Sequence, residues 1–339
     1  MRIVMLGFGT VGQGLAELLL DKAKYLEAHY GIEPRVVGIA DMLKGNVIDQ
    51  NGIDLKKALQ LAKDGKQLSE LPGAFEGDAL AFLDTVDADI MVEMTYTDIK
   101  TGEPATSHVK AALQKNMHVT TTNKGPLALN YRELADLARR QNVRFLFEGT
   151  VMSGTPILNL IRETLAGCDV SQVKGILNGT TNYILSSMEE GLGYDEALKK
   201  AQELGYAEAV PDADVLGWDA LAKVTILANV VFGATCKPDD FACKGITEIT
   251  AEMIADAKQR GKRFKLIGKV WRDSDTVKGS VGPEEVDLTH PLAGVMGATN
   301  ALTVTTDALG DVTMVGPGAG RVETGYSALV DIISAGGRK

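Results

Sequence analysis

The 339-residue chain has little sulfur to spare: three cysteines, Cys168, Cys236 and Cys243, widely spaced and odd in number. That fits a reducing compartment better than a disulfide framework; Cys236 and Cys243 could pair only if the fold brought them together. Four scattered histidines leave no zinc-ligand spacing. Positive charge is in deficit as well, with 35 Lys and Arg against 45 Asp and Glu and a net charge of −10. No basic stripe is present, so nucleic acid is not an expected partner. No run reaches the ~18 uninterrupted apolar residues of a membrane span. The opening MRIVMLGFG has no basic n-region and no cleavage site. A cytoplasmic protein with no membrane partner is expected, in which the Asn178-Gly179-Thr180 sequon would stay unmodified.

What is present is an ordinary globular composition, 45% hydrophobic and 24% charged, at a length that suggests two domains. The apolar run Arg2–Leu6 leads into Gly7-Phe8-Gly9-Thr10-Val11-Gly12 and then a helical pattern from Leu15 to Leu20. Between a strand and a helix each glycine has a role. The first makes the turn, the second admits pyrophosphate, and the third lets helix pack on strand. A second strand, Arg35–Ala40, ends at Asp41, where a carboxylate accepts ribose hydroxyls or serves only as a turn residue. As a ribose ligand Asp41 favours NAD over NADP, although Lys44, Lys56 and Lys57 would offset it if their loop folds back.

The pattern continues with a helix Leu55–Lys63, a strand Asp89–Met94 ending at Thr95, a helix His108–Lys115 and a strand Met117–Thr121. This alternation predicts an α/β fold, a doubly wound parallel (Rossmann) sheet. Lys124, in the loop 122–126, then stands at a strand's C-terminal end, reaching cofactor or substrate or merely solvated.

Beyond Leu134–Arg140 the regularity ends. A strand Arg144–Glu148, a helix Asn159–Leu165, a strand Val173–Leu177 closing on a polar turn 178–182, and a helix Tyr194–Leu204 follow. Strands Arg263–Trp271, Thr276–Val281 and Leu302–Asp307 come later, so 135–307 is expected to be an inserted α+β substrate domain. Residues 1–134 with 308–339 are expected to form the dinucleotide-binding domain. Val312–Val315, the glycine turn 316–320 and a helix Thr324–Ser334 repeat the strand–turn–helix pattern, as a second phosphate loop or a tight return to the first domain.

Within the insertion, Trp218–Phe232 is apolar on nearly every face, its first turns interrupted by two charges, Asp219 and Lys223, at i,i+4. A buried lysine is costly unless paired and is well suited to proton transfer. A structural ion pair, with the lysine reaching for water, is the competing reading.

These motifs together resemble homoserine dehydrogenase, in the compact form without a regulatory module or an aspartokinase fusion. The likeness rests on GFGTVGQG at the start, TTNKGPLA at 121–128, EGTVMSGTPI at 148–157, NGTTNYIL at 178–185, GYAEAVPDADVLGWDALAK at 205–223 and GPGAG at 316–320. The glycine loop is common to many dehydrogenases; the two penultimate motifs are specific. The resemblance implies NAD(P)-dependent interconversion of L-homoserine and L-aspartate 4-semialdehyde, on the way to threonine, methionine and isoleucine.

It further implies Lys223 as general acid/base and Lys124 beside the nicotinamide and the reacting oxygen. Glu208 and Asp219 would hold the substrate ammonium, Thr180 would contact substrate, and Thr95 and Gly318 the cofactor. A monovalent cation, sodium in this family, would be held by Glu148 and the carbonyls of Val151, Ser153 and Thr155. A homodimer through the second domain is implied too. One departure is Glu208-Ala-Val-Pro-Asp212 in place of the family's Glu-Pro-Asp-Pro. A phosphorylating semialdehyde dehydrogenase would need a cysteine nucleophile, and Cys168 has no histidine near it in sequence. A non-enzymatic dinucleotide sensor would have no use for two lysines and two acids so placed.

Overall fold

The computed structural model describes residues 1–337 and divides the chain into two units, Met1–Gly154 with the segment from Gly320 onward, and Thr155–Ala319. These bounds differ from 134 and 307. The strand Phe145–Leu146 pairs with the first sheet, and Gly310–Pro317 pairs along its whole length with the second.

The first unit runs β1 (Arg2–Leu6), α1 (Thr10–Tyr30), β2 (Arg35–Asp41), β3 (Gly45–Ile48), α2 (Leu55–Lys63), β4 (Ala74–Phe75), α3 (Ala79–Thr85), β5 (Ile90–Glu93), α4 (Ala105–Gln114), β6 (His118–Thr121), α5 (Lys124–Arg140) and β7 (Phe145–Leu146). The sheet order is β4-β3-β2-β1-β5-β6-β7. The pairs from β2 through β1, β5 and β6 to β7 are parallel, and β3 and β4 join antiparallel at the edge. That edge hairpin and α3 carried no signal strong enough to be read from sequence. β1 and β5 are buried almost throughout, as expected of strands covered on both faces.

α1 extends both ways from its expected core. It starts after Gly9, buries Leu15, Ala16, Leu19 and Leu26, and stops where Gly31 turns left-handed and its N–H bonds to Glu27 O. The C-terminal helix, Arg321–Ala335, packs on α1 at glycine contacts: a Cβ on Gly14 would lie 2.1 Å from Arg321 O, and one on Gly325 2.6 Å from Leu15 N. The return to the first unit is therefore a packing connection.

The second unit comprises β8 (Val170–Ile176), α6 (Gly179–Glu189), α7 (Tyr194–Glu203), α8 (Asp212–Val215), α9 (Trp218–Val231), β9 (Ala242–Cys243), α10 (Ala251–Gln259), β10 (Lys262–Asp273), β11 (Thr276–Asp287), β12 (Thr299–Thr306) and β13 (Gly310–Pro317). Its sheet, β13-β12-β8-β10-β11-β9, is antiparallel except for the β11–β9 pair. The expected helix at 159–165 is a single π-helical turn, Leu160–Thr164. The expected polar turn 178–182 is instead the start of α6, because Asn178 caps it by accepting from Thr181 N at 2.9 Å. α9 rests on β10 and β11 where glycines make room: a Cβ on Gly268 would lie 2.8 Å from Val224 Cγ2, and one on Gly279 3.0 Å from Val224 Cγ1. Every residue of α9 from Ala220 to Asn229 is buried, in keeping with a helix that is apolar almost all round. Among the described residues no helix is long and apolar enough to cross a membrane.

Candidate active site

Four strands of the first unit, β1, β2, β5 and β6, end on one edge of the parallel sheet, the edge where ligands bind in this architecture. At the end of β1, Gly7 has φ +94, and a Cβ there would lie 2.5 Å from Met94 O. A Cβ on Gly12 would lie 2.4 Å from Gly7 O, whereas one on Gly9 meets nothing within 4 Å. The turn, the open approach and the close helix contact are all present, with Phe8, Thr10 and Val11 between them. A dinucleotide pyrophosphate fits this cradle, on the N-terminal end of α1.

Asp41 ends β2 with both oxygens engaged. Oδ2 accepts from Phe8 N at 2.7 Å; Oδ1 accepts from Leu43 N at 3.0 Å and Lys44 N at 2.9 Å. The carboxylate thus anchors the glycine loop. Lys44 Nζ lies 3.8 Å from it, so one of the three lysines does fold back, while Lys57 pairs with Asp54.

Lys124 does not lie in a loop. It is the first residue of α5, because Asn123 caps the helix by accepting from Gly125 N at 3.1 Å. Pro126 falls in the first turn, where a missing N–H costs nothing. The Asn123 amide also donates to Thr95 O at 3.2 Å and Tyr96 O at 2.8 Å. The ends of β5 and β6 are tied together this way, with Thr95 and Lys124 on the same edge.

Glu148 is buried in a 3₁₀ turn, its N–H donating to Asp331 Oδ2 at 3.1 Å. Val151 is buried, and Met152 and Ser153 follow with φ +59 and +54. Two consecutive left-handed non-glycine residues are costly and mark a backbone held for a purpose. Thr155 opens the second unit, its hydroxyl donating to Pro317 O at 3.0 Å. Among the described residues no group of three or more His, Cys, Asp or Glu side chains could hold a metal ion.

In the second unit the N-terminal ends of α6 and α9 meet. Lys223, 6% exposed, donates through Nζ to Leu177 O at 2.6 Å and to Asp219 Oδ2 at 2.7 Å. Asn178 Nδ2 donates to Asp219 Oδ2 at 3.0 Å and to Asp214 Oδ1 at 2.6 Å. One asparagine therefore caps α6 and bridges two acids. Burial pushes the Asp214 carboxyl up, helped by the charge of Asp219; the Asn178 bond, Lys223 and Thr180 oppose it. Thr180 borders the cluster, its hydroxyl donating to Tyr206 O. The sequence reading does not single out Asn178 or Asp214; the signal available is the density of acids at 212, 214 and 219.

The Glu208 carboxylate does not join this cluster: the residue is exposed and only its backbone carbonyl accepts, from Gln202 Nε2 at 3.0 Å. Gly318 lies against Asn300, whose Nδ2 would be 2.1 Å from a Cβ there. The three cysteines are free.

The second unit also buries a lysine that the sequence pattern does not mark. Lys265 of β10, 1% exposed, donates to Asn182 Oδ1 at 2.8 Å and to Val295 O. Burial, then Arg263, pushes its ammonium down to about 8, against the pull of Glu189. The unfolded chain, with its lysine at 10.5, holds the extra proton between those values, so stability rises with pH across that window. The gain is about 2–3 kcal/mol by pH ~10. Denaturant unfolding of the protein and of Lys265→Met should show this gain in the former alone; matching pH dependences would contradict it.

Comparison with known proteins follows the same lines. A family model described as homoserine dehydrogenase matches residues 156–333, and one described as homoserine dehydrogenase, NAD binding domain, matches residues 7–148. The chain is 43% identical to an NAD(+)-dependent homoserine dehydrogenase of Pseudomonas canavaninivorans over 98% of this chain and 95% of that one. It is 42% identical to a homoserine dehydrogenase of Methanocaldococcus jannaschii, over 98% of each. A hyperthermophilic archaeal homoserine dehydrogenase solved in complex with NADPH superposes with a TM-score of 0.85 at 32% identity, over 98% of this chain and 97% of that one.

Proposed function

The chain belongs to the homoserine dehydrogenase family, and from that premise we propose that Lys223 is the group that moves the substrate's hydroxyl proton. The reaction is NAD(P)-dependent oxidation of the homoserine hydroxyl to L-aspartate 4-semialdehyde, and its reverse, in threonine and methionine biosynthesis. The bound dinucleotide supplies the hydride acceptor or donor. Hydride leaves carbon only if the hydroxyl proton leaves too, so an amine must take it; in reverse an ammonium returns it to the forming alkoxide.

The observation that carries this reading is the buried Lys223 amine, held by Leu177 O and Asp219 and linked through Asn178 to Asp214. Asp219 and Glu208 would hold the homoserine ammonium by charge-assisted bonds, with Asp214 as a third acid. Supporting Glu208 is its exposed position in the segment after α7. Thr180 would contact substrate, and Lys124 would stand beside the nicotinamide and the reacting oxygen. The glycine loop, Asp41, Thr95 and Gly318 would hold the cofactor. A sodium-like cation would suit the oxygen donors Glu148, Val151, Ser153 and Thr155, where it would neutralise a buried carboxylate. A cytoplasmic homodimer is proposed, with β13, an edge strand, open to pairing with a second copy.

NAD is the proposed preference, because the Asp41 carboxylate repels a 2′-phosphate. Asp41→Asn keeps an oxygen for Phe8 N but removes the charge, so the ratio of kcat/KM for NADP over NAD should rise about tenfold. Absorbance at 340 nm with L-homoserine and each cofactor measures both protein and variant. No reduction of either cofactor by the parent would defeat the proposed roles; an unchanged ratio would defeat the role of Asp41.

A further inference from the structure

Strand order divides the cofactor edge. β2 and Asp41 stand on one side of β1 and β5 on the other, so the adenosine half of a dinucleotide belongs to the β2 side and the nicotinamide half to the β5 side. β5 ends in Glu93, a carboxylate with no exposure, 2 residues before Thr95. Its Oε1 accepts from Thr95 N at 2.8 Å and also from the Thr95 hydroxyl. Its Oε2 faces His108 Nδ1 at 2.9 Å, on α4, itself only 5% exposed. A carboxylate offers only acceptors, so the threonine must donate in both contacts. Every N–H and O–H of Thr95 is thereby turned onto Glu93, and its carbonyl accepts from Asn123. What the half-exposed side chain keeps for a ligand is the lone pairs of its hydroxyl oxygen.

We propose that Glu93, braced by His108, fixes Thr95 as a hydrogen-bond acceptor toward the nicotinamide nucleoside, and so acts as a positioning residue for cofactor recognition. This rests on the reading of Thr95 as a cofactor contact. The ligand group must then be a donor, either the carboxamide N–H or a ribose O–H. A buried carboxylate is costly unless several hydrogen bonds satisfy it, and here all three that it accepts converge on presenting one threonine.

Equilibrium binding to the full chain, by calorimetry, tests this without turnover. The probes are NAD, an analogue with acetyl in place of the carboxamide, and one with deoxyribose in its nicotinamide half. One analogue should bind about tenfold more weakly than NAD, and which one identifies the donor. Thr95→Val should abolish the discrimination and Thr95→Ser keep it. Glu93→Gln, whose amide oxygen still receives both hydrogens, should keep it, and Glu93→Leu should lose it. Thermal melts establish that each variant is folded, and the Thr95 pair decides the matter if Glu93→Leu does not fold. Equal affinity for all three probes, or discrimination surviving in Thr95→Val or in folded Glu93→Leu, overturns the proposal while leaving dinucleotide binding intact. Failure of the parent to bind any probe overturns the cofactor reading and this inference with it.

Discussion

Lys223→Ala should lower kcat for homoserine oxidation by ~10²–10⁴-fold, the usual share of general acid–base catalysis. KM should change far less, because the acids proposed to hold the substrate ammonium remain in place. The variant loses an amine bonded to Leu177 O at 2.6 Å and Asp219 Oδ2 at 2.7 Å, yet α9 keeps its apolar packing. Leaving Asp219 without its cation will cost stability, so turnover must be measured on protein shown to be folded by its melting curve. Lys223→Arg retains the charge but cannot release a proton near neutrality, so it should be as slow as alanine. An arginine variant with near-parental turnover would reduce the residue to a structural ion pair.

The second large effect is expected at the glycine loop. In Gly12→Ala the new methyl carbon would lie 2.4 Å from Gly7 O, a backbone atom that cannot swing aside. Either α1 or the turn must move, and overpacking of this kind costs about 1–3 kcal/mol. Placed at the cradle itself, that distortion should weaken NAD binding by on the order of 10–100-fold. Gly9→Ala makes the contrast: its methyl meets nothing within 4 Å, so the melting temperature should hold while binding falls. Intact affinity in both variants, read by calorimetry, would remove the glycine loop from cofactor binding.

Much of this was legible in the sequence because local signals and tertiary structure agree. β1, α2 and α9 were visible from apolar runs and periodicity, and their observed bounds lie within a residue of the expected ones. Where the reading failed, a side chain's local role was hidden by its chemistry. Asn123 and Asn178 look like loop residues, yet each caps a helix, and so Lys124 and the 178–182 segment were placed in turns. The significance of Asp214 and Asn178 lies in Asn178 meeting both Asp214 and Asp219 across more than 30 residues of chain, which no spacing rule reports. The domain bounds differ from the expected ones for a similar reason: β13 leads into a glycine turn and helix that return to the first unit, but its own partner is β12 of the second sheet. Lys265 sits in a strand where a lysine is ordinarily exposed, and only the fold shows it covered.

The most direct test of Lys223 as the proton-transfer group is chemical rescue. Small primary amines of graded basicity are added to Lys223→Ala with saturating NAD and L-homoserine, and the rate of absorbance increase at 340 nm is measured. The account predicts amine-dependent recovery of turnover that grows with amine basicity, since the missing function is a base near the hydroxyl. A variant that binds both ligands as the parent does and stays slow at every amine would contradict it, as would one that needs no amine at all.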